Sequence, residues 1–311
     1  MTHDTRRRAN GIWAQVQLRL CCSLFGLLVL AFPASAQTEM GRIGARPVLW
    51  IVHSRVATAY LLGSIHLLPP NLNWHTPAID HAMKSADTFY FETSLDPISM
   101  AQMARFVLDH GSLADGQSLR AMLDKGTLSD FDRALSELHL RRDEFDGQRP
   151  WLASISLNQA YMRQMNYVMS AGVDMQVWDY ARQNGKRLRS FETTDQQLAL
   201  FMPRDPKLEV AEFDSDIREL HSEHKELGAM IDAWAAGDAK KVGELLNEEL
   251  EKSPDTKRYL VDERNKNWMQ RFDFMLSQNG TYFVVVGAGH LVGANGVPAL
   301  LRARGYRVDG P

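Results

Sequence analysis

The run Thr281–Val286 is the feature that most constrains how this chain can fold. Its residues, TYFVVV, are almost all apolar, β-branched or aromatic, and Gly287 follows directly. A continuous apolar run of this length is typical of a strand buried on both faces, as in the parallel sheets of α/β proteins. Most of the chain between residues 97 and 280 has helical periodicity instead. The alternation of strands with helices predicts an α/β fold.

The other strand-like segments predict a mixed central sheet. Val48–Val52 and Thr58–Leu62 have the pattern of an antiparallel hairpin, while Thr88–Phe91 and residues 185–191 are predicted to be single strands. A helix is predicted at 77–85, with Thr76 as its N-cap and Pro77 at its first position. Further helices are predicted at 100–108, 128–138, 152–167, most of 195–278 with a break at Gly237-Asp238, and 297–304, with a last strand at 306–308. We expect residues 37–311 to form one domain, a mixed sheet flanked by helices, with a long helical insertion or lid at about 97–280.

Residues 1–36 have the features of a secretory signal peptide. A basic start precedes a mostly apolar run at 20–32, and Ala34-Ser35-Ala36 provides small residues for cleavage before Gln37. The apolar run is shorter than the roughly 20 residues of a typical membrane span. We expect cleavage after Ala36 and a periplasmic or secreted protein without a membrane span, and retention of the segment as an anchor is the alternative.

Composition excludes several kinds of site from residues 37–311. Both cysteines, Cys21 and Cys22, lie within the predicted signal peptide, so the mature chain can form neither a disulfide nor a thiolate nucleophile. The formal net charge of the whole chain is −3 and there is no basic run after the signal. This charge pattern argues against nucleic-acid binding.

Three polar residues follow directly on predicted strands. His66, Glu92 and His290 each stand where an apolar run ends. Ligands of open α/β sheets gather beyond the carboxyl ends of the strands, so these side chains converge if their strands are parallel neighbours. Two imidazoles and a carboxylate suit Mn²⁺, Fe²⁺, Co²⁺ or Zn²⁺, and a metal lowers the pKa of bound water. Glu92 is either a ligand or a general base.

Glycines accompany both histidines in a Gly-x-x-His frame. Gly63 precedes His66, and Gly287 and Gly289 precede His290, where they allow sharp turns and leave room for a substrate. A hydrogen-bonded structural role for the histidines remains the alternative. The chain has no His-Glu-x-x-His helix and no Gly-x-Ser-x-Gly elbow, so these two hydrolase types are not indicated.

Taken in order, the motifs resemble those of the TraB/PrgY/GumN family, which is related to the Tiki metalloproteases. The resemblance extends over nearly the whole mature chain and is closest to the bacterial GumN-like branch. It depends on the segments 62–68, 86–92, 172–174, 191–197, 233–238, 263–265, 286–293 and 296–301. It implies an EreA/ChaN-like fold and a metal-dependent, peptidase-like site, with Mn²⁺ or Co²⁺ as the expected metal and a peptide or protein as the expected substrate.

The resemblance also assigns roles to individual residues. It implies that His66, His290 and Glu92 are the metal ligands and that Arg264, followed by Asn265, binds a substrate carboxylate or a developing oxyanion. For Arg264 the alternative is a surface ion pair on its helix. For Asp174, Glu192 and Gln197 it implies hydrogen bonds that hold the metal ligands, or structural roles such as helix capping. The rival functions are a non-catalytic peptide- or polysaccharide-related binding protein and a structural protein, and the pattern does not indicate an oligomeric state.

Overall fold

The computed structural model describes residues 43–200, 205–250 and 257–311. The predicted signal peptide at 1–36 lies outside the described residues. Eight strands are present: β1 (Ile43–Gly44), β2 (Leu49–His53), β3 (Ala57–Ser64), β4 (Leu72–Asn73), β5 (Thr88–Phe91), β6 (Arg187–Ser190), β7 (Gly280–Gly287) and β8 (Arg307–Asp309) in the described ranges. The α-helices in these ranges are α1 (Pro77–Ser85), α2 (Pro97–His110), α3 (Leu119–Met122), α4 (Lys125–Glu137), α5 (Pro150–Gln164), α6 (Val173–Gln183), α7 (Thr194–Ala199), α8 (Pro206–Ala235), α9 (Ala239–Leu250), α10 (Glu263–Ser277) and α11 (Val297–Ala303).

The chain divides into two compact units, one built on a sheet and one helical. The described part of the sheet unit comprises residues 43–95, Val168–Thr194 and Gly228–Pro311. The helical unit comprises Asp96–Tyr167 and the described residues of Asp195–Leu227. β6 lies inside the range 97–280 that the sequence assigned to an insertion, yet it is a strand of the sheet. The division into one domain with a helical insertion stays a prediction.

The predicted mixed sheet is confirmed. Six strands lie in the order β6-β5-β7-β3-β2-β8, while β1 and β4 form a separate parallel pair. The strands β6, β5, β7 and β3 are mutually parallel, and β2 pairs antiparallel with both β3 and β8. The predicted hairpin is therefore β2–β3. The strand with the strongest apolar run, β7, lies between two parallel neighbours, which explains why both of its faces are buried.

Helices cover both faces of this sheet. On one face α10 and α11 pack Phe272 and Leu301 into a core with Val284 and Val286 of β7. On the other face Phe91 meets the ring of Trp178 of α6, with their centroids 5.0 Å apart. Each large apolar side chain that is fully buried in this way contributes on the order of 2 kcal/mol to folding.

Local signals determine where several helices begin. Thr76 accepts a hydrogen bond from the Ile79 N–H, and Pro77 occupies the first position of α1, as the sequence predicts. The break after α8 is also as predicted: Gly237 has φ +75°, and Asp238 accepts from the Lys241 N–H at 2.8 Å. Among the described residues, no helix combines the length and apolar character that crossing a membrane would require.

The helical unit has its own core. Phe131 of α4 meets Phe213 of α8 edge to face, with centroids 5.2 Å apart. Nearby, Arg149 makes a two-pronged ion pair with Glu209, whose carboxylate is buried.

Candidate functional site

The four parallel strands bring polar side chains together at one edge of the sheet. His66, Glu92, Glu192 and His290 lie one to three residues beyond the ends of β3, β5, β6 and β7. Register places the end of β3 beside Gly287, the last residue of β7. Parallel strands end at the same edge, so residues distant in sequence become neighbours there.

Gly287 lies at the centre of the three predicted ligands. A Cβ at this position would stand 3.1 Å from Glu92 Oε1, 3.6 Å from His290 Cδ2 and 4.0 Å from His66 Nε2. The Gly287 N–H also donates to Glu92 Oε1 at 2.6 Å. A side chain here would fill the space that the ligand atoms share, so glycine leaves that space open.

Asp174 orients the imidazole of His66. Its Oδ2 pairs with Nδ1 of His66 from the first turn of α6. Burial by itself would lower the pKa of His66, but the charge and hydrogen bond of Asp174, with the charge of Glu92, raise this pKa above its ordinary value. The His66 side chain is 17% exposed. This imidazole therefore has a fixed orientation and retains access to solvent.

Asn265 of α10 orients the imidazole of His290. Its amide nitrogen donates to the carbonyls of His290 at 3.2 Å and Asn295 at 2.8 Å, so its oxygen is the atom that faces Nδ1 of His290, at 2.6 Å. Nδ1 therefore carries the proton and Nε2 carries the lone pair. The ring is 1% exposed, and burial lowers the pKa of His290 to about 3. His290 is therefore neutral at physiological pH.

Arg264 connects the two glutamates of the site to His290, and all five of its N–H groups donate hydrogen bonds. Nε donates to Glu192 Oε1 at 2.7 Å, and Nη2 donates to Glu92 Oε2 at 2.5 Å and to Glu192 Oε2 at 3.0 Å. Nη1 donates to the Leu260 carbonyl and to His290 Nε2, each at 3.1 Å. The Arg264 side chain is 11% exposed and pairs with Glu92 and Glu192, so it does not form the surface ion pair along its helix that was the alternative from the sequence.

The guanidinium keeps Glu92 ionised. Burial would raise the pKa of Glu92, but the charge of Arg264, helped by His290, His66 and the Gly287 N–H, holds it far below its usual range. Conversely, Glu92 and Glu192 more than offset the burial of Arg264 and raise its pKa. The pair therefore remains charged across the physiological pH range.

The site carries an excess of negative charge. Among its described side chains, the carboxylates of Glu92, Asp174 and Glu192 outnumber the single guanidinium of Arg264 by two when both imidazoles are neutral. In a part-buried setting such an excess attracts a cation.

The remaining predicted residues have different positions. Gly63 lies against Ala288, where a Cβ would come 3.0 Å from Ala288 Cα, and its carbonyl accepts from Trp234 Nε1 at 2.8 Å. Gly289 lines a separate cavity of about 130 Å³, together with Asp262. Gln197 is buried in the helical unit.

Trp268 is a site residue that the sequence did not mark. Its indole N–H donates to Glu192 Oε1 at 2.7 Å, and its ring lies 4.5 Å from that of His290 and 5.1 Å from the guanidinium carbon of Arg264. A tryptophan on the apolar face of α10 has the pattern of a core residue. The spacing from Arg264 to Trp268, one helical turn, was the available signal.

The donor set fits a divalent cation in its chemistry. His66 and His290 each have Nδ1 held by an oxygen, the arrangement that directs Nε2 of a metal-binding histidine. Glu92 supplies an ionised oxygen beside them. Within the described ranges no three His, Cys, Asp or Glu side chains are already close enough to hold a metal. Arg264 lies between two of the donors, at hydrogen-bond distance from both.

Comparison with known proteins identifies the family. Residues 48–310 match the model of the TraB/PrgY/gumN family. The uncharacterized protein YbaP of Escherichia coli K12 is 22% identical over 243 residues, which cover 78% of this chain and 87% of YbaP. An uncharacterized protein of Treponema pallidum is 21% identical over 306 residues, 91% of each chain. The sequence prediction is confirmed, and the chain belongs to the TraB/PrgY/gumN family.

Proposed function

We propose that this protein is an exported metal-dependent hydrolase that cleaves amide bonds of peptides or proteins. The observation that carries the proposal is the pair of imidazoles whose Nδ1 atoms are held by oxygens, so that Nε2 is the donor atom of each ring, beside an ionised glutamate at the sheet edge. The carboxylates at the same place outnumber the guanidinium, and this excess of negative charge favours a bound cation.

His66, His290 and Glu92 would hold the metal, with Mn²⁺ or Co²⁺ expected and Zn²⁺ or Fe²⁺ as alternatives. When bound, such a metal would polarise the carbonyl of the substrate and lower the pKa of water enough to supply a nucleophile near neutral pH.

The protein's own groups have distinct tasks in this proposal. Glu92 is a weak proton acceptor because its pKa is held far below its usual range, so a ligand role suits it better than a general-base role. Asp174 and Asn265 keep the two imidazoles in the required tautomers. Arg264 donates to Glu92 and His290 and has every N–H engaged within the protein, so we do not assign it to binding the substrate.

The substrate would approach from the side of His66. The His66 ring is 17% exposed, whereas the His290 ring is 1% exposed and is covered by Trp268. A peptide can therefore reach one imidazole directly, while the other is enclosed by protein.

Cleavage of a mixed peptide library by residues 37–311, with Mn²⁺ or Co²⁺ added, tests the proposed function. We expect His66→Ala and His290→Ala to lose at least about 100-fold in rate. His75→Ala is the matched control, because His75 is an exposed histidine paired with Asp80. Undiminished cleavage in both site variants would refute the proposed site. Metal binding without turnover would favour the rival function, a periplasmic peptide- or polysaccharide-related binding protein.

Export is a separate part of the proposal and has its own test. Intact mass measurement of the protein recovered from the periplasm should give a chain that begins at Gln37. Recovery of the full-length chain in the membrane fraction would instead identify residues 1–36 as a retained anchor.

A further inference from the structure

Arg264 donates hydrogen bonds to two of the atoms that the proposed metal would use as ligands. Its Nη1 lies 3.1 Å from His290 Nε2 and its Nη2 lies 2.5 Å from Glu92 Oε2. A divalent cation bound to these two side chains would take the same imidazole nitrogen and the same carboxylate. The guanidinium is thus already a cation at the donor atoms.

His290 cannot serve both cations at once. Asn265 accepts the proton of Nδ1, so Nε2 has a single lone pair, and that lone pair accepts the N–H of Arg264. An arginine in a protein does not give up its charge, so the conflict cannot be relieved by loss of a proton. The hydrogen bond must break before Nε2 can become a ligand.

The rest of the Arg264 side chain is held independently of these two contacts. Nε and Nη2 both donate to the carboxylate of Glu192, and Nη1 also donates to the Leu260 carbonyl. The guanidinium carbon lies 5.1 Å from the ring centre of Trp268, and the same indole donates to Glu192. Three of the five N–H groups of Arg264 therefore bind neither His290 nor Glu92.

We propose that Arg264 is a built-in competitor of the metal, and that the metal binds by exchange with the guanidinium at His290 Nε2 and Glu92 Oε2. The inference rests on the proposed function, because it takes His66, His290 and Glu92 as the ligands. In the metal-free protein Arg264 neutralises Glu92 and caps His290. In the metal-bound protein it is retained by Glu192, which acts as its anchor.

Isothermal titration of Mn²⁺ into metal-free protein tests the exchange. The informative variant is Arg264→Met combined with Glu192→Gln, which removes one positive and one negative charge and so leaves the net charge of the site unchanged. We expect it to bind Mn²⁺ on the order of tenfold more tightly than the unaltered protein, because His290 Nε2 and Glu92 are no longer occupied by a cation. Glu192→Gln alone is the control and should not bind more tightly.

Thermal melts with chelator check whether the double variant folds. If it does not, Arg264→Lys is the second variant. Its shorter side chain keeps the charge but lacks the planar fork that reaches Glu192 and His290 together. It should also bind Mn²⁺ more tightly than the unaltered protein.

The outcomes separate the two proposals. If unaltered protein binds Mn²⁺ through His66 and the Arg264 variants bind equally or less tightly, the exchange is wrong and the proposed metal site stands. If neither the unaltered protein nor any Arg264 variant binds Mn²⁺, both proposals fail. Tighter binding by the variants supports the exchange, whatever the rate of peptide cleavage.

Discussion

The two histidines of the site differ in pKa because their partners differ. His66 faces the carboxylate of Asp174, which stabilises the imidazolium and raises the pKa of His66. His290 faces the neutral amide of Asn265 and the guanidinium of Arg264, and its burial keeps it neutral. Equivalent Gly-x-x-His motifs therefore produce chemically different imidazoles.

Asp174→Asn should weaken metal binding by about 10- to 100-fold, because the carboxylate that orients and polarises His66 is lost. Isothermal titration with Mn²⁺ measures the change. Asp179→Asn is the matched control on the same helix, since Asp179 is half exposed and pairs with Arg182. An equal effect of both substitutions would mean that Asp174 acts through the charge of α6 and not through His66.

The pKa of His290 predicts a pH-dependent loss of stability in metal-free protein. This pKa falls from 6.5 to about 3 on folding, so below pH 6.5 the unfolded chain binds a proton that the folded chain does not bind. Stability is then lost as the pH falls, by on the order of 2 kcal/mol between about pH 7 and about pH 5.

Urea unfolding with chelator, at several pH values, checks this loss. The raised pKa of His66 acts in the opposite direction, because its contribution to stability is complete at low pH and is lost as the pH rises through the folded pKa. Comparison with His290→Gln isolates the His290 contribution, since His66 is present in both proteins. The prediction fails if the variant loses as much stability on acidification as the unaltered protein.

At the scale of elements, the packing of α6 against the end of β3 brings Asp174 to His66. The Val173 N–H donates to the Ile65 carbonyl at 3.1 Å, and Gly172 lies directly against the carbonyl of His66. This contact sets the distance between the first turn of α6, which carries Asp174, and the His66 backbone.

Gly172→Ala should destabilise the protein by about 2–4 kcal/mol, because its Cβ would overlap the backbone of His66 and force α6 away from β3. Urea unfolding measures the loss. Gly228→Ala is the control, because Gly228 is a helical position in α8 with open space around it. Alanine there should raise the free energy of unfolding by up to about 1 kcal/mol. If Gly172→Ala is as stable as the unaltered protein, the close approach does not control the position of α6.

At the scale of the whole molecule, the site depends on the folded sheet and not on any continuous segment. The ligand candidates follow β3, β5 and β7, and β7 lies between the other two strands in the sheet although most of the chain separates it from them in sequence. The unfolded chain therefore cannot reproduce the site, and any metal that binds it must stabilise the folded state.

Mn²⁺ at about 100 times its dissociation constant should raise the free energy of unfolding by about 2.7 kcal/mol. Thermal melts with and without the metal provide the measurement. His290→Ala should abolish the gain, and the exposed control His75→Ala should retain it. A gain that persists in the His290 variant would locate the bound metal elsewhere.

The sequence by itself determined the kinds of element and the place of the site along the chain. The continuous apolar run of β7 predicted a strand between parallel neighbours, and Thr76 with Pro77 predicted the start of α1. The position of His66, Glu92 and His290 after strands predicted that they would meet. These features are local, so propensity, periodicity and capping are enough to recognise them.

Only the tertiary structure decided what the site residues do to one another. The sequence could not show that Arg264 spans Glu92, Glu192 and His290, because these contacts join α10 to the ends of three strands. The charge states of the site residues follow from the same contacts, because burial and charged neighbours shift pKa values. Neither burial nor neighbours can be read from the amino-acid sequence alone. The order of the strands selects the neighbours, and the neighbours determine whether each imidazole is charged and whether its lone pair is available.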